Sequence, residues 1–210
     1  MTTVQPLRCD SLVDLDPNDL VARARSGCDE AYGELARRYF PRLVQLVLPR
    51  LRSNSHMDAE DIAQDSLARA FQNIESFDPR FRFSTWLFTI AIRIACDHNR
   101  GHRRRLSLLQ THSTLLGMEI AKPRLLVERV ELQESVDAIW LVARRTLGEA
   151  HYTAMWLRFA EDLSVAEIAQ VMRKTQVGVR VLLHRARLKM LKVMQEPETQ
   201  PSSSNRGEAV

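Results

Sequence analysis

The 210-residue sequence predicts an all-α protein, two small helical domains joined by a linker, with a helix-turn-helix in the C-terminal domain. Three observations carry that expectation. Gly and Pro together account for 15 residues, about 7% against an ordinary usage near 12%, too few for an all-β chain that turns about every 8–12 residues. Apolar residues recur at helical spacing through two long blocks, and no segment alternates convincingly as a strand would. A polar, weakly periodic stretch separates the blocks. With 45% hydrophobic and 27% charged residues, the chain can bury a core and is not disordered as a whole. The longest apolar run, Ala138–Ala143, is far below the roughly 18 residues of a membrane span, so no membrane insertion is expected. No basic-then-apolar segment opens the chain, and Cys9, Cys28 and Cys96 are scattered. A reduced, cytoplasmic setting follows.

The elements follow in order. Residues 1–15 are a flexible lead-in. Residues 16–105 form the first domain. Pro17-Asn18-Asp19-Leu20 opens a short helix that stops near Gly27. Asp29 is placed to cap the second helix, whose stripe is Tyr32, Leu35, Ala36, Tyr39, Leu43 and Val47; Pro41 should kink it or remove a hydrogen bond. Asp58 starts the third, with Ala63, Leu67, Ala70, Phe71 and Ile74 inward and Met57 and Ile62 spaced as a hydrophobic staple. The fourth begins at Ser84, with Phe83 and Phe88 as its staple and Trp86, Leu87, Ile90, Ala91, Ile94 and Ala95 as its core face. Gly101 and the basic run 102–105 end it. Residues 106–129 are the linker, 130–194 the second domain, and 195–210 a disordered tail.

Charge is segregated more than the net value of +4 suggests. Residues 58–78 carry six acids and one base, Arg69. Residues 79–105 carry seven arginines and one acid, Asp97, and residues 171–194 carry seven Lys/Arg and no acid. Two basic stretches and one acidic stretch imply two surfaces for a polyanion and one for another kind of partner.

In the second domain, Ser164-Val-Ala-Glu167 is a capping box flanked by Leu163 and Ile168, and Thr175 caps a further helix after a short turn. This is helix-turn-helix spacing, in which the second helix enters the major groove. Arg173 stands where the turn usually has Gly, and Gly178 inside the helix suits close approach to DNA or to the first helix. Arg173, Lys174, His184, Arg185 and Arg187 are placed for phosphates, with Thr175 at the cap, and Gln176, Arg180 and Val181 for base edges.

Between the third and fourth helices, Phe77-Asp-Pro-Arg-Phe-Arg-Phe83 interleaves aromatics with arginines, a composition that suits stacking on unpaired bases. Phe71, Phe77 and Phe88 read better as core; Phe81 and Phe83 fit either role. There is no P-loop, Gly-rich dinucleotide turn or His-Glu-x-x-His helix. Asp97, His98 and Asn99 are helical neighbours that diverge by about 100°, so no enzyme, cofactor or metal is expected. An autonomous helix-turn-helix regulator and a DNA-free scaffold remain open on this composition alone.

Asp58-Ala-Glu-Asp-Ile-Ala-Gln-Asp65, Ala70-Phe71, Phe83-Ser-Thr-Trp-Leu87 and Arg93-Ile-Ala-Cys-Asp97 together resemble region 2 of bacterial RNA polymerase sigma factors of the sigma-70 family, extracytoplasmic-function type. Leu163-Ser-Val-Ala-Glu-Ile-Ala169 and Leu183-His-Arg-Ala-Arg187 resemble its region 4. The resemblance implies core RNA polymerase and promoter DNA as partners, and an anti-sigma factor is frequent in the family. It implies that Asp61, Gln64, Asp65 and Arg69 dock on the polymerase. It implies that the loop with Arg80, Phe81, Arg82 and Phe83, the neighbouring Trp86, and the helix face with Arg93, Asn99, Arg100, Arg103 and Arg104 hold and melt the minus-10 element. The helix-turn-helix then reads the minus-35 element.

Overall fold

The computed structural model describes residues 12–53, 55–116 and 136–195. The expected tail lies almost wholly outside them, as do residues 117–135 of the linker region and residues 1–11. Every regular element among the described residues is helical, and no helix there is long and apolar enough to cross a membrane.

The N-terminal unit is built from α1 (Pro17–Arg25), α2 (Asp29–Val47), α3 (His56–Gln72) and α4 (Phe83–Leu116). Asp16 caps α1 by accepting from the Asn18 amide at 2.8 Å, and Gly27, at φ 86°, supplies the left-handed residue that ends the turn. Residues 12–15 are held rather than loose. Leu12 is buried, and Arg38 donates to the carbonyls of Leu12, Val13 and Leu15 while pairing with Glu34. Hydrogen bonds from Arg37 and Arg38 pull the Glu34 carboxyl down to about 2, so it is an anion across the ordinary pH range.

Several local expectations change. Asp29 does not cap α2; Cys28 occupies that position and Asp29 lies in the first turn, where a carboxylate favours the positive end of the helix dipole. Pro41 forfeits one amide bond without ending α2. Ser55 caps α3 by accepting from the Asp58 amide at 3.2 Å. Met57 is 69% exposed, so no staple forms with the buried Ile62. Helix α4 starts at Phe83 and continues through Gly101 to Leu116, past the expected end at 105. One interior glycine costs a helix about 1 kcal/mol relative to Ala, too little to stop one otherwise well formed.

Aromatic packing fixes the corner where α4 begins. Tyr39 of α2 meets Phe83 and Phe88 edge-on at 5.4 and 6.1 Å, and Phe77 meets Phe83 at 5.8 Å and Trp86 at 5.5 Å. Phe71, by contrast, is partly exposed and leans on Tyr32 at 4.4 Å. Burial pushes the Tyr32 hydroxyl up to about 12, which keeps it a donor to the Leu67 carbonyl.

The C-terminal unit contains α5 (Val136–Thr146), α6 (Glu149–Phe159), α7 (Val165–Met172) and α8 (Gln176–Gln195). Trp140, Tyr152 and Trp156 form its aromatic centre, with ring separations from 4.7 to 6.1 Å. The Ser164–Glu167 capping box is present in both directions. The unit sits directly against the first, with α7 along α4. Arg42 of α2 forms a two-point ion pair with Glu161, whose side chain is buried. Arg50, also buried, reaches Thr153 and Glu149, each at 2.9 Å.

Candidate nucleic-acid and polymerase interfaces

The loop between α3 and α4 is held by α1. Asn18 donates to the carbonyls of Pro79 and Phe81 at 3.3 and 3.1 Å and accepts from the Phe83 amide at 3.1 Å. Arg25 donates to the carbonyls of Ile74, Glu75 and Phe77, and its guanidinium lies 5.9 Å from the Phe77 ring centre. Within the loop, the Asp78 carboxylate accepts from the Arg80 guanidinium and amide, which hold it below the usual carboxylate range. The backbone is therefore braced on both sides, and Phe81 projects from it 46% exposed.

Burial separates the two aromatics that the sequence left equal. Phe83 is 1% exposed and belongs to the aromatic corner, so its ring is not available to stack on a base. Trp86 is half-buried against Phe77 and Phe83. Arg80 and Arg82 are exposed; Arg80 is engaged by Asp78, and Arg82 donates to the Asp162 carbonyl at 2.9 Å.

Along α4, Arg93, Arg100, Arg103 and Arg104 are exposed. Arg100 lies 3.7 Å from Asp97, an exposed pair that contributes little. Asn99 is otherwise employed. Its amide donates to the Arg50 carbonyl at 2.7 Å and its oxygen accepts from the Arg52 amide at 3.0 Å. Both ends of the side chain stitch the turn after α2 to α4. Asp97, His98 and Asn99 diverge as expected, toward Arg100, Asp58 and the 50–52 turn respectively.

Helix α3 buries Ala59, Ile62, Ala63, Ser66, Leu67 and Ala70 and exposes Asp61, Gln64, Asp65 and Arg69. Asp58, Asp61, Asp65 and Arg69 of α3 and Asp97 and His98 of α4 line a shallow groove of about 260 Å³. A helix that is apolar inward and acidic outward, beside such a groove, suits a basic protein partner far better than DNA.

In the helix-turn-helix, α7 buries Ile168, Ala169 and Val171, and α8 buries Val179, Ala186 and Met190. Arg173, Lys174, Thr175, Gln176, Arg180, Val181, His184, Arg185 and Arg187 are all exposed. Thr175 caps α8 by accepting from the Gly178 amide at 3.1 Å. A Cβ at Gly178 would lie 3.2 Å from that same hydroxyl and would have no atom of α7 within 4 Å; the glycine makes room for the cap. Sequence reasoning passed over Val177, which is 66% exposed in the first turn beside Gln176 and Arg180 and suits a thymine methyl. It also passed over Asn18 and Arg25, whose partners lie about fifty residues or more away.

Arg173 adopts the left-handed conformation, φ 51° and ψ 47°, where glycine is usual. That conformation costs a non-glycine residue about 1–2 kcal/mol. Arg173→Gly is expected to raise the melting temperature slightly, since greater freedom in the unfolded chain offsets only about 0.4–1 kcal/mol of the relief. It should weaken binding to all promoter sequences alike and reduce the salt slope by about 0.9. Thermal melts and a salt titration of promoter binding check the two opposed effects.

Residues 35–105 match the family description Sigma-70 region 2, and residues 153–190 match Sigma-70, region 4. The chain is 32% identical over 169 residues to the ECF RNA polymerase sigma factor BldN of Streptomyces coelicolor, a match covering 80% of this chain and 62% of BldN, less than two thirds of that relative. It is 27% identical over 185 residues to the ECF RNA polymerase sigma factor SigW of Bacillus subtilis, covering 84% of this chain and 95% of SigW. Its fold is similar to that of the sigma factor RpoE from Bartonella quintana, solved with the anti-sigma factor NepR, at a TM-score of 0.56 and 19% identity over 78% of this chain and 96% of that one. With both regions present in order on an all-helical frame, the chain belongs to the sigma-70 family of RNA polymerase sigma factors, in its extracytoplasmic-function group, whose members are transcription initiation factors and not enzymes.

Proposed function

We propose that this sigma factor binds core RNA polymerase through the acidic face of α3, reads the minus-35 element with α7 and α8, and holds and melts the minus-10 element with α4 and the loop 78–84. The observation that carries the reading is Phe81, a single exposed ring on a loop braced from α1, next to the arginine face of α4. An exposed aromatic on a preorganised backbone can receive an unstacked base without first ordering itself. The partners are core polymerase and promoter DNA, the place of action is the cytoplasm, and an anti-sigma factor is the expected antagonist, as the RpoE complex with NepR supports.

Run-off transcription with core polymerase tests the reading: transcripts from a cognate promoter should require the chain. A randomised minus-35 selection on the same holoenzyme resolves the helix-turn-helix. Arg180 is exposed beside the buried Val179 and is the proposed base reader, worth about 1–3 kcal/mol of discrimination. Arg180→Ala should relax preference at one upstream position, whereas Arg185→Ala should lower affinity and leave the preferred sequence unchanged. An unaltered selection with Arg180→Ala would shift the assignment to Gln176, Val177 or Val181.

A further inference from the structure

The exposed side of α4 carries one acid among its arginines. At about 100° per residue, Arg93, Asp97, Arg100 and Arg104 fall on one side of the helix, and all four are exposed. The opposite side is filled by Leu87, Phe88, Ala91 and Ala95. Residues 79–105 hold seven arginines, and Asp97 is the only acid among them. Its carboxylate lies 3.7 Å from the Arg100 guanidinium, with the two side chains 57% and 69% exposed. An ion pair this open adds little to stability. Its larger effect is on whatever approaches the face.

A carboxylate accepts hydrogen bonds and donates none, so it sorts the groups that DNA presents. Phosphates are anions. Along the axis, Asp97 stands about 6 Å from Arg93 and about 4.5 Å from Arg100 at 1.5 Å per residue. A phosphate gripped by either arginine comes within the Debye length of about 8 Å and is repelled. The major-groove edges of guanine and thymine offer only acceptors and are refused as well. The exocyclic amino groups, N4 of cytosine and N6 of adenine, donate and are received.

On the placement of the minus-10 element on α4 proposed above, we infer that Asp97 is a specificity-determining residue of that face. It accepts a hydrogen bond from the amino group of a cytosine or adenine in the element, and its charge withholds the neighbouring arginines from phosphates elsewhere. A face of arginines alone binds any duplex backbone. One acid at its centre exchanges part of that affinity for preference, a repulsive element of the kind through which binding surfaces discriminate.

The test uses holoenzyme assembled from core polymerase and the full chain. Asp97→Asn removes the charge and adds a donor, and Asp97→Ala removes the acceptor. The side chain is 57% exposed, so neither substitution enters the core, and thermal melts verify this. Core affinity is expected to keep its wild-type value, although Asp97 also borders the groove shared with α3. In a randomised minus-10 selection, wild-type holoenzyme should favour cytosine or adenine over guanine and thymine at one position by at least about fivefold, the low end of a base-reading contact. Asp97→Asn should admit guanine and thymine there, and Asp97→Ala should show no preference. Both variants should bind a non-promoter duplex about threefold more tightly, the repulsion of two unit charges about 6 Å apart in water. Their salt slope should steepen by about 0.9, because Arg100 becomes free for a phosphate. The gain should shrink when Arg100→Ala is combined with either substitution. A wild-type selection without the amino-base preference, a selection that neither variant alters, non-promoter binding no tighter than wild type, or a loss of core affinity would each overturn the inference. If Arg93→Ala and Arg100→Ala also leave the selection and open-complex formation untouched, the reading of α4 falls with it; if those arginine variants are defective, only the role of Asp97 falls.

Discussion

Asp61→Arg combined with Asp65→Arg is expected to lower affinity for core RNA polymerase by more than about 30-fold while leaving helicity and promoter-DNA contacts of the isolated chain intact. Both carboxylates are exposed on α3, and the opposite face of that helix is filled by Ala59, Ile62, Ala63, Leu67 and Ala70. The substitutions therefore change the surface potential without entering the core. A desolvated interface anchor contributes about 2 kcal/mol or more, and each 1.4 kcal/mol is about tenfold in affinity. Reversal adds like-charge repulsion against a basic partner. Arg69 sits one turn beyond Asp65 on the same exposed side, and Arg69→Ala serves as a rim control with a small effect. A core-polymerase titration that is unchanged for the double variant would place the docking surface elsewhere.

The second large effect is expected at Phe81. Phe81→Ala should slow open-complex formation on a duplex promoter by about 1–3 kcal/mol of lost stacking, roughly 5- to 150-fold, and by much less on a template already carrying a bubble. Phe83→Ala should behave differently. Its ring is buried against Tyr39 and Phe77, so truncation leaves a cavity and costs about 3–5 kcal/mol of stability, with equal defects on both templates. Asn18→Ala gives a third pattern: the fold stands, but the loop loses three hydrogen bonds, and the duplex defect approaches that of Phe81→Ala although no base-contacting atom has been removed. Rates on paired duplex and bubble templates, read beside thermal melts, separate the three.

The alternation of Phe and Arg through the 77–83 loop was legible from the sequence, but which ring faces water was not. A loop has no fixed period, and the inward turn of Phe83 depends on α4 beginning at that residue and on Tyr39 arriving from α2. Blocks of like charge pointed to the faces of α3, α4 and α8 because charge of one sign accumulates where a helix meets neither core nor its own neutralising partners. Asn99 escaped for the converse reason. Nothing in its neighbourhood shows that a turn nearly fifty residues earlier uses both ends of its amide. The capping box of α7 was readable because its two partners are three residues apart. The cap of α3 was misread by three positions because Ser55, Met57 and Asp58 each fit a start signal, and only burial chooses among them. The packing of one unit on the other joins apolar contact to ion pairs and hydrogen bonds between distant residues, which leave no periodic trace.

The brace on the loop 77–83 bears on how the protein can be divided. Asn18 and Arg25 hold that loop from a helix lying wholly before residue 35, where the region 2 match begins. A fragment cut at the matched boundary would also sever α2 in its second turn, taking residues 29–34 with it. Minimal fragments for structural work or for transplanting promoter specificity should therefore start no later than Leu12, the first described residue, whose carbonyl and side chain are already packed into the fold.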